Sequence, residues 1–418
     1  MITTPPSRLA RRLGTLDAVV IGLGSMLGAG VFVVFGLAAR VVGTGLLAAL
    51  GVSALVAFCN ATSSAQLAAV HPSAGGTYIY GRERLGHLWG FAAGWGFVLG
   101  KTASCAAIAL TIGRYLDPAR ARLWAVGAVL ALAAINYRGV EKTAVVVRTL
   151  VTLTITTLAL SVVSGWLSAG FDPGAWPPSA EPPARILEAA ALMFFAFAGY
   201  ARIGTLGEEV RDPARTIPRA IDVALLITLL LYTVVAATTL ATLGPVALAA
   251  STAPLADVAA AGPWPGAATA VRLGAVIAGV SSLLTLLAGV SRTVFAMAAN
   301  RDLPRPLAGV HPRFRTPGRA EIGVTALVVA VLLLTDLANA VGFSSFLVLA
   351  YYAVANVAAW RLAPAERRWP RGLSAVGLVG CVALAMSLPV ANVIVGGLLL
   401  LAGVIGRALV VRRRAHAS

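Results

Sequence analysis

Charged residues are scarce in this chain, and acidic ones are the scarcest. Only 16 Asp and Glu accompany 33 Lys and Arg among 418 residues, and charged residues make up 12% of the total. A soluble domain carries about 25% charged residues. Apolar residues reach 59% and the mean hydropathy is +0.87. The shortage of charge excludes an ordinary soluble domain and indicates an integral membrane protein.

Cysteine and histidine are also rare, with three and four copies. Cys59, Cys105 and Cys381 lie in apolar stretches without metal-ligand spacing, and we interpret them as small buried hydrophobes. A membrane-embedded enzyme would need a clustered nucleophile, base or metal set. The histidines lie in loops, at the start of a span or in the C-terminal tail. We therefore expect no enzyme activity, no cofactor and no metal.

A net charge of +17 would suit nucleic acid only if it formed one basic face. Here the charges occupy short stretches between apolar segments, so the expected partner is the lipid bilayer and not nucleic acid. We expect no cleavable signal peptide. The apolar stretch after Arg8, Arg11 and Arg12 is long enough to span a membrane, and it lacks a small-residue cleavage site.

Twelve apolar segments are each close to the roughly 20 residues that a spanning helix needs. The last two run together through Pro389, so ten or eleven spans stay open. The segments lie near residues 15–39, 43–69, 87–115, 122–138, 144–168, 185–207, 219–243, 267–298, 320–337, 340–361, 372–388 and 390–411.

Lys and Arg residues between these segments predict the orientation. With the N-terminus in the cytoplasm, 24 of them fall on the cytoplasmic side and six outside, while Lys101, Arg202 and Arg292 lie in or near spans. Cytoplasmic loops carry the excess of positive charge. We therefore predict an even number of spans in the cell membrane, with both termini in the cytoplasm.

Two of the segments are interrupted at their middles. The first reads IGLGSMLGAGVFVVFG from Ile21 to Gly36, and the second reads LMFFAFAGYARIGTLGEEV from Leu192 to Val210. Small residues let the backbone leave the helix there: Gly28, Ala29 and Gly30 in one, Ala198 and Gly199 in the other. Irregular backbone at membrane depth is tolerated only where it lines a protein-walled cavity. A pair of broken helices indicates the substrate site of a transporter.

The interrupted segments are the first and the sixth, so their starts are separated by five helices. Because five is odd, two successive five-helix units must have opposite orientations in the membrane, as in inverted-repeat transporters. The predicted organisation is a cytoplasmic tail (1–14), a first repeat (15–168), a second repeat (185–361), two further spans (372–411) and a short tail (412–418).

Four motifs resemble the amino acid–polyamine–organocation transporters. They are GAGVF at 28–32, HPSAGGTYIY at 71–80, FAFAGYARIGTLGEEVRDPARTIPRAI at 195–221 and SRTVFAMAANRDLP at 291–304. The resemblance covers the first ten spans well and the last two loosely. It implies an all-α integral membrane protein with the LeuT-like fold, a 5+5 inverted repeat of twelve transmembrane helices, and discontinuous spans one and six. The smaller bacterial amino acid exporters of this family have a similar length and layout.

A broken helix suits an amino acid without using charged side chains. The N–H groups near Gly28, Ala29 and Gly30 would face the carboxylate. The resemblance assigns Met26 to the ammonium. The second break would supply carbonyls from Phe195, Ala196 and Ala198, next to Gly199. The other interpretation is that the glycines only permit close helix packing. Phe195 occupies the family's gating aromatic position, and Phe197 is a second candidate for the pocket wall.

Lys101 lies about fourteen residues into the third span, far from either interface. Charge at that depth is costly and usually functional. Burial disfavours the charged form of an amine, so Lys101 could bind and release a proton during transport. Some family members place such a lysine in span five, where this chain has Thr154. Two other interpretations stay open: Lys101 lies beside a substrate carboxylate, or it reaches the surface or caps carbonyls.

Charges near the end of the sixth span predict a cytoplasmic gate. Arg202 follows the break and should pair with Glu208 or Glu209 or order the half-helix. Direct contact with the substrate is the alternative. These two glutamates are helix neighbours that point apart, so they do not form an acid/base pair. We expect them to form ion pairs that close the inward path, with partners chosen among Arg82, Arg84 and Arg292.

The coupling ion and the substrate are less constrained. A sodium ion would use the hydroxyls of Ser281, Ser282 and Thr285, although such hydroxyls usually bond to their own helix. No acidic residue lies in the middle of a span, which disfavours cationic amino acids and favours neutral, apolar ones. An acidic amino acid is the alternative if Lys101 faces the cavity. A membrane sensor or scaffold that does not transport is the competing class.

Overall fold

The computed structural model describes residues 13–71, 75–139, 144–172, 181–206 and 209–416. This part of the chain is helical throughout, and its one strand-like feature is an isolated parallel bridge between Leu13 and Val210. The predicted all-α architecture is confirmed. The helices are α1 (Thr15–Met26), α2 (Val34–Val42), α3 (Leu46–Val70), α4 (Gly76–Leu85), α5 (His87–Leu116), α6 (Ala121–Tyr137), α7 (Ala144–Trp166), α8 (Pro183–Phe197), α9 (Ala201–Gly204), α10 (Pro213–Ala250), α11 (Pro254–Ala261), α12 (Ala267–Ala299), α13 (Gly318–Leu334), α14 (Leu337–Trp360), α15 (Arg371–Ser387) and α16 (Val390–His416).

Ten helical segments of the described residues are long and apolar enough to cross a membrane. The protein is therefore a multi-pass membrane protein. Every one of the twelve predicted segments contains a helix, but α13 and α15 have only 17 residues each. Helices of this length are at the short end of the range that spans a bilayer. The count of twelve crossings and the division into two repeats stay predictions.

Three helical features differ from the predicted layout. Helices α4 and α11 occupy connections in which the sequence indicated no helix. Helix α10 is longer than the segment expected from residue 219 to 243, because Pro213 fits the first turn and Pro218 does not end the helix. Near its other end Gly244 adopts a φ of 71°, and Pro245 follows it. A left-handed residue of this kind, which glycine adopts readily, marks a kink rather than a regular helix.

The first predicted interruption is a true break. Helix α1 ends at Met26, Gly28 is extended (φ −76°, ψ −154°), and a 3₁₀ turn runs over Ala29–Phe32. Helix α2 then resumes at Val34. A Cβ atom at Gly28 would lie 2.1 Å from Ser282 Oγ, so the backbone passes α12 at a distance that only glycine permits. The small residues therefore both break the helix and bring it against its neighbour.

The second interruption takes a different form. Helix α8 ends at Phe197, a 3₁₀ turn follows over Ala198–Tyr200, and the four-residue helix α9 begins at Ala201. The backbone of Phe197, Ala198 and Tyr200 stays in or next to the right-handed helical region. The chain therefore tightens there and does not unwind, unlike the predicted departure from helical geometry. Such a 3₁₀ segment inside a helix often marks a functional hinge.

The remaining helices differ in how deeply they are buried around the two breaks. Helix α5 is mostly buried and packs against α12 and α14, whereas most residues of α16 are exposed or half-buried. The exposed face of α16 is apolar, and its exposed side chains include Ile394, Leu398, Leu401, Ile405 and Leu409. An apolar outer face next to a buried polar interior is the arrangement of a helix bundle in lipid.

Candidate functional site

The two breaks meet directly. A Cβ atom at Gly199 would lie 2.3 Å from the carbonyl oxygen of Ser25 and 2.6 Å from the nitrogen of Met26. On the other side of the contact, a Cβ atom at Gly30 would lie 3.0 Å from the Cα atom of Ala196. A Cβ atom at Gly199 would therefore overlap the backbone, whereas the contact at Gly30 is tight. The predicted pairing of the interruptions is present in the structure as a contact between their main chains.

A cavity of about 1000 Å³ extends from this contact to one end of the molecule. Its deep part is lined by the breaks and by side chains of α5 and α14, and its mouth is lined by Leu13, Gly75, Gly139 and Phe314. Among the described residues, none beyond Gly30 in the first segment reaches it. The cavity is therefore open on one side of the bundle and ends at the breaks.

Most of the predicted substrate residues lie on this cavity. Its lining includes Met26, Gly28, Ala29, Gly30, Phe195, Ala196, Ala198 and Gly199. Phe195 is partly exposed to the cavity and approaches Gly30. Phe197 is fully buried and does not line it; its ring packs edge-on against Tyr232 at a centroid distance of 5.1 Å. Of the two phenylalanines, only Phe195 can contact a ligand here.

Tyr232 of α10 connects the carbonyls of the two breaks, and the sequence analysis missed it. Its hydroxyl lies 2.6 Å from the carbonyl oxygen of Met26 and 3.1 Å from that of Ala196, and it shares its single proton between them. A carbonyl oxygen has two lone pairs, so that of Met26, the last residue of α1, can still accept from a ligand. One hydroxyl therefore fixes the relative position of two carbonyls that were predicted to bind the ammonium.

Lys101 reaches the second break from α5. Its side chain is only 7% exposed and lines the cavity, and its Nζ donates to the carbonyl oxygen of Ala198 at 3.3 Å. Within the described residues it forms no ion pair with a carboxylate. Two of the sequence interpretations are thus combined in one geometry, since Lys101 caps a carbonyl and also faces the cavity.

The hydroxyls considered for sodium divide into two kinds. Thr285 donates to the carbonyl of Ser281 in its own helix, which is the ordinary behaviour of such residues. Ser282 Oγ is buried without a hydrogen-bond partner and lies against Gly28. A sodium ion needs several oxygen ligands. Of the three hydroxyls, Ser282 is the one that the described residues leave available to it.

The predicted gate is only partly described. Glu208 lies outside the described residues. Arg202, Glu209 and Arg292 all line the cavity. Arg202 donates to Thr205 Oγ1 at 3.0 Å, and its Nε is buried without a partner. Arg202 and Glu209 lie near enough to interact electrostatically, but they do not form an ion pair. The main chain of Glu209 instead accepts a hydrogen bond from Leu13 in the bridge that fixes the N-terminal segment.

Arg84 was predicted to form a gate ion pair with Glu208 or Glu209. The prediction was wrong for Glu209, because Arg84 pairs with another carboxylate. It forms a bidentate pair with Glu366, with distances of 2.6 and 3.0 Å, and its Nε donates to His71 Nε2. The bond from Arg84 lowers the pKa of Glu366, and burial lowers the pKa of His71. The connection after α14 brings Glu366 to α4. Because the two residues are far apart in the sequence, this contact could not be predicted from it.

A second group of charges holds the other end of α4. Tyr78 donates to Asp302 at 2.7 Å, and Arg407 of α16 pairs with the same carboxylate at 2.6 Å. Arg82, another predicted gate partner, donates to the Tyr78 hydroxyl. Burial and the bond to Asp302 raise the pKa of Tyr78 to about 12. Helix α4 is thus tied to the segment after α12 and to the last helix.

Metal-binding clusters are not found in the described part of the chain, where no three His, Cys, Asp or Glu residues could together hold an ion. Cys59, Cys105 and Cys381 are buried and unpaired in disulfides.

The comparisons with known proteins agree with this architecture. The model of the amino acid permease family matches residues 17–369. The chain belongs to the amino acid permease family. It is 52% identical over 414 residues to an uncharacterized transporter of Mycobacterium tuberculosis, covering 98% of this chain and 94% of the relative. These findings identify a transporter and not an enzyme.

More distant relatives have named substrates. The branched-chain amino acid permease BcaP of Bacillus subtilis is 26% identical over 339 residues, covering 75% of this chain and 73% of BcaP. Human cationic amino acid transporter 4 is 28% identical over 382 residues, covering 85% of this chain and 60% of that protein. Amino acids are therefore the expected substrate class of the family.

Proposed function

We propose that this permease is a secondary active transporter that moves neutral, apolar amino acids across the cell membrane by alternating access. The observation that carries the proposal is the direct contact of the two helix breaks at the closed end of a cavity. Broken helices that meet in this way are the usual substrate site of inverted-repeat transporters. Twelve spans in the LeuT-like fold belong to the same proposal.

The two breaks offer matched partners for an amino acid. The first N–H groups of the 3₁₀ turn that begins at Ala29 have no carbonyl acceptor within the turn. These donors suit a carboxylate. The carbonyls of Met26 and Ala196 suit the ammonium, and Tyr232 holds them in place. No charged side chain is needed for either group.

The side-chain part of the pocket favours an apolar substrate. Beside the breaks, the deep wall is formed by Phe97, Ile108, Phe195 and Tyr351. Lys101 is the charged group described at this level, and it would repel the side chain of a cationic amino acid. An acidic amino acid is the second candidate, because Lys101 lines the cavity and has no carboxylate partner among the described residues.

The direction of opening follows from the orientation rule. The mouth of the cavity is formed by segments that the distribution of Lys and Arg assigns to the cytoplasm. The structure then corresponds to an inward-facing state. On the opposite side, Tyr115 donates to the carbonyl of Phe32 at 2.8 Å and their rings pack edge-on. This contact lies just beyond the breaks, where an outer path would open.

We propose that transport is coupled to protons or proceeds by exchange of amino acids. Lys101 is then the residue at the break that gains and loses the proton. A charged lysine donates to Ala198, and loss of its proton weakens that bond. Uptake and export use the same geometry. A sodium ion is the less favoured alternative, since Thr285 is already bonded within its own helix.

The proposal is tested by reconstituting the purified protein in liposomes loaded with unlabelled neutral amino acids. Labelled leucine, valine, alanine and phenylalanine outside should exchange inward, while empty liposomes and liposomes with an inactivated variant should show only leakage. Labelled glutamate tests the second candidate and labelled arginine the disfavoured class. Failure of all standard amino acids, with and without a pH gradient, would instead favour a sensor or scaffold that has kept the fold.

A further inference from the structure

Glu321 is a buried carboxylate on the wall of the cavity, and nothing described so far uses it. It lies in the first turn of α13, is 5% exposed and lines the same cavity as the breaks. From the sequence alone, Glu321 was predicted only to lie near the end of a span. An ionisable residue buried in a membrane protein is expensive and usually functional.

The oxygen atoms around Glu321 are incompletely satisfied. Oε1 of Glu321 and Oγ of Ser291 are both buried, and neither has a hydrogen-bond partner of good geometry. Ser291 and Asn136 are nonetheless the hydrogen-bonding groups close enough to act on the carboxyl group. Buried polar atoms without partners are costly. An unsatisfied pair of this kind therefore needs an explanation.

The charged and titratable neighbours are few. Helices α5, α6 and α12 and the 3₁₀ turn Arg305–Ala308 pack against α13. Arg292 comes from α12 and Cys105 from α5, while α6 contributes the neutral Asn136. Arg305 and Arg319 are exposed. Lys101 and Glu321 both line the same cavity, so water in that cavity can reach the lysine at the break and this carboxylate.

We propose that Glu321 is a proton-binding site of the transport cycle, reached from the cavity and acting together with Lys101. The inference rests on the proposed transport function. The carboxylate takes up one proton from water in the cavity and becomes a neutral carboxyl group, and it later returns that proton to water. Ser291 fits both forms, because its hydroxyl can donate to the carboxylate or accept from the protonated acid.

A sodium ion fits the same place less well. Sodium is held by several oxygen ligands, whereas the described residues offer one carboxylate and one hydroxyl without partners here. Arg292 is also close enough to repel a metal cation. A proton needs only a single oxygen, and a proton on Glu321 reduces the number of unsatisfied acceptors in the site.

The test compares Glu321→Gln with wild type in proteoliposomes, using the neutral amino acid that exchanges best. Glutamine has nearly the same shape as a protonated glutamate and cannot release a proton. Wild type should accumulate substrate in response to a pH gradient. Glu321→Gln should lose at least about 90% of this accumulation and the pH dependence of uptake between pH 5 and 8, while exchange at equal pH stays within about threefold of wild type.

The matched control is Glu181→Gln, which removes a partly exposed glutamate that lies outside the cavity and contacts Arg185 at 4.0 Å. It should leave accumulation unchanged. Accumulation by Glu321→Gln at the wild-type level, or accumulation that follows a sodium gradient instead, would overturn the inference. So would a wild type that exchanges substrate but never responds to pH. Absence of any exchange by wild type would instead contradict the proposed function.

If Glu321→Gln is not stable enough to reconstitute, Glu321→Asp and Ser291→Ala answer the same question. Both keep a titratable group but change the surroundings of its oxygens. Each should retain accumulation and shift the midpoint of the uptake–pH curve by at least about 0.5 pH unit. Midpoints identical to wild type in both variants would overturn the inference.

Discussion

Substituting Gly199 by alanine is the sharpest perturbation of the contact between the breaks. The added Cβ atom would lie 2.3 Å from the Ser25 oxygen, 2.4 Å from the Ser25 carbonyl carbon and 2.6 Å from the Met26 nitrogen. All three are backbone atoms, so no side chain can rotate away. Ordinary contacts begin at 3.4 Å, and one break must move by about 1 Å relative to the other.

The expected cost follows from this displacement. Overpacking of a well-packed site destabilises a protein by about 1–3 kcal/mol. Transport should suffer more than stability, because misplacing binding groups by about 1 Å can reduce activity by about 100-fold. We therefore expect Gly199→Ala to fold with a lowered melting temperature and to exchange amino acids at about 1% of the wild-type rate or less.

Gly127→Ala is the matched control. Gly127 lies in α6, and a Cβ atom there would meet nothing within 4 Å. Both variants would be purified in detergent, checked by size exclusion and thermal unfolding, and assayed for exchange in liposomes. Gly127→Ala should behave as wild type. A folded Gly199→Ala protein with wild-type exchange and affinity would refute the claim that the contact positions the substrate groups.

Three further predictions concern single side chains. Tyr232→Phe should destabilise the protein by about 1–3 kcal/mol in thermal unfolding, since it leaves buried carbonyls without their donor, and an unchanged melting temperature would contradict this. Lys101→Ala should abolish proton-driven accumulation while exchange survives, and unchanged pH dependence would refute a coupling role. The lowered pKa of Glu366 means that its pair with Arg84 stabilises the fold at neutral pH and is lost as the pH falls below the ordinary value of 4.5. Glu366→Gln should therefore lower the melting temperature at pH 7 and flatten its decline below about pH 4.5, and parallel curves would contradict the pair's contribution.

The sequence predicted the helix breaks well because small residues in an apolar run have few other uses. Gly28, Gly30 and Gly199 all lie where the backbone passes close to another helix. Both sequence interpretations, a break and close packing, therefore apply to Gly28. The form of the second break was not predictable in the same way, since Ala198 and Gly199 are compatible with a 3₁₀ turn as well as with an extended backbone.

Contacts between helices that are distant in the chain could not be predicted from the sequence. Tyr232 appears as one tyrosine in an apolar run, and only the packing of α10 beside both breaks shows that it joins Met26 to Ala196. Glu321 appears as a charge near a helix end, and only the cavity shows that it is enclosed. A hydropathy pattern gives the depth of a residue along its helix but not the direction in which its side chain points.

Ion pairs were the least predictable feature. Arg84 was predicted to lie on the same side of the membrane as Glu209, yet it pairs with Glu366, which lies 282 residues further along the chain. An arginine in a connection between spanning helices has several carboxylates within reach of its long side chain. The choice among them depends on how the connections after α12 and α14 fold back onto α4, and this is a tertiary property.

The central claim is that the contact between the breaks is the substrate site. It is tested most directly by equilibrium binding of labelled neutral amino acids to the purified protein, measured for wild type, Gly199→Ala and Gly127→Ala. The account predicts saturable binding by wild type and by Gly127→Ala, and affinity at least about 100-fold weaker for Gly199→Ala. Equal affinity in all three folded proteins would show that the amino acid binds elsewhere.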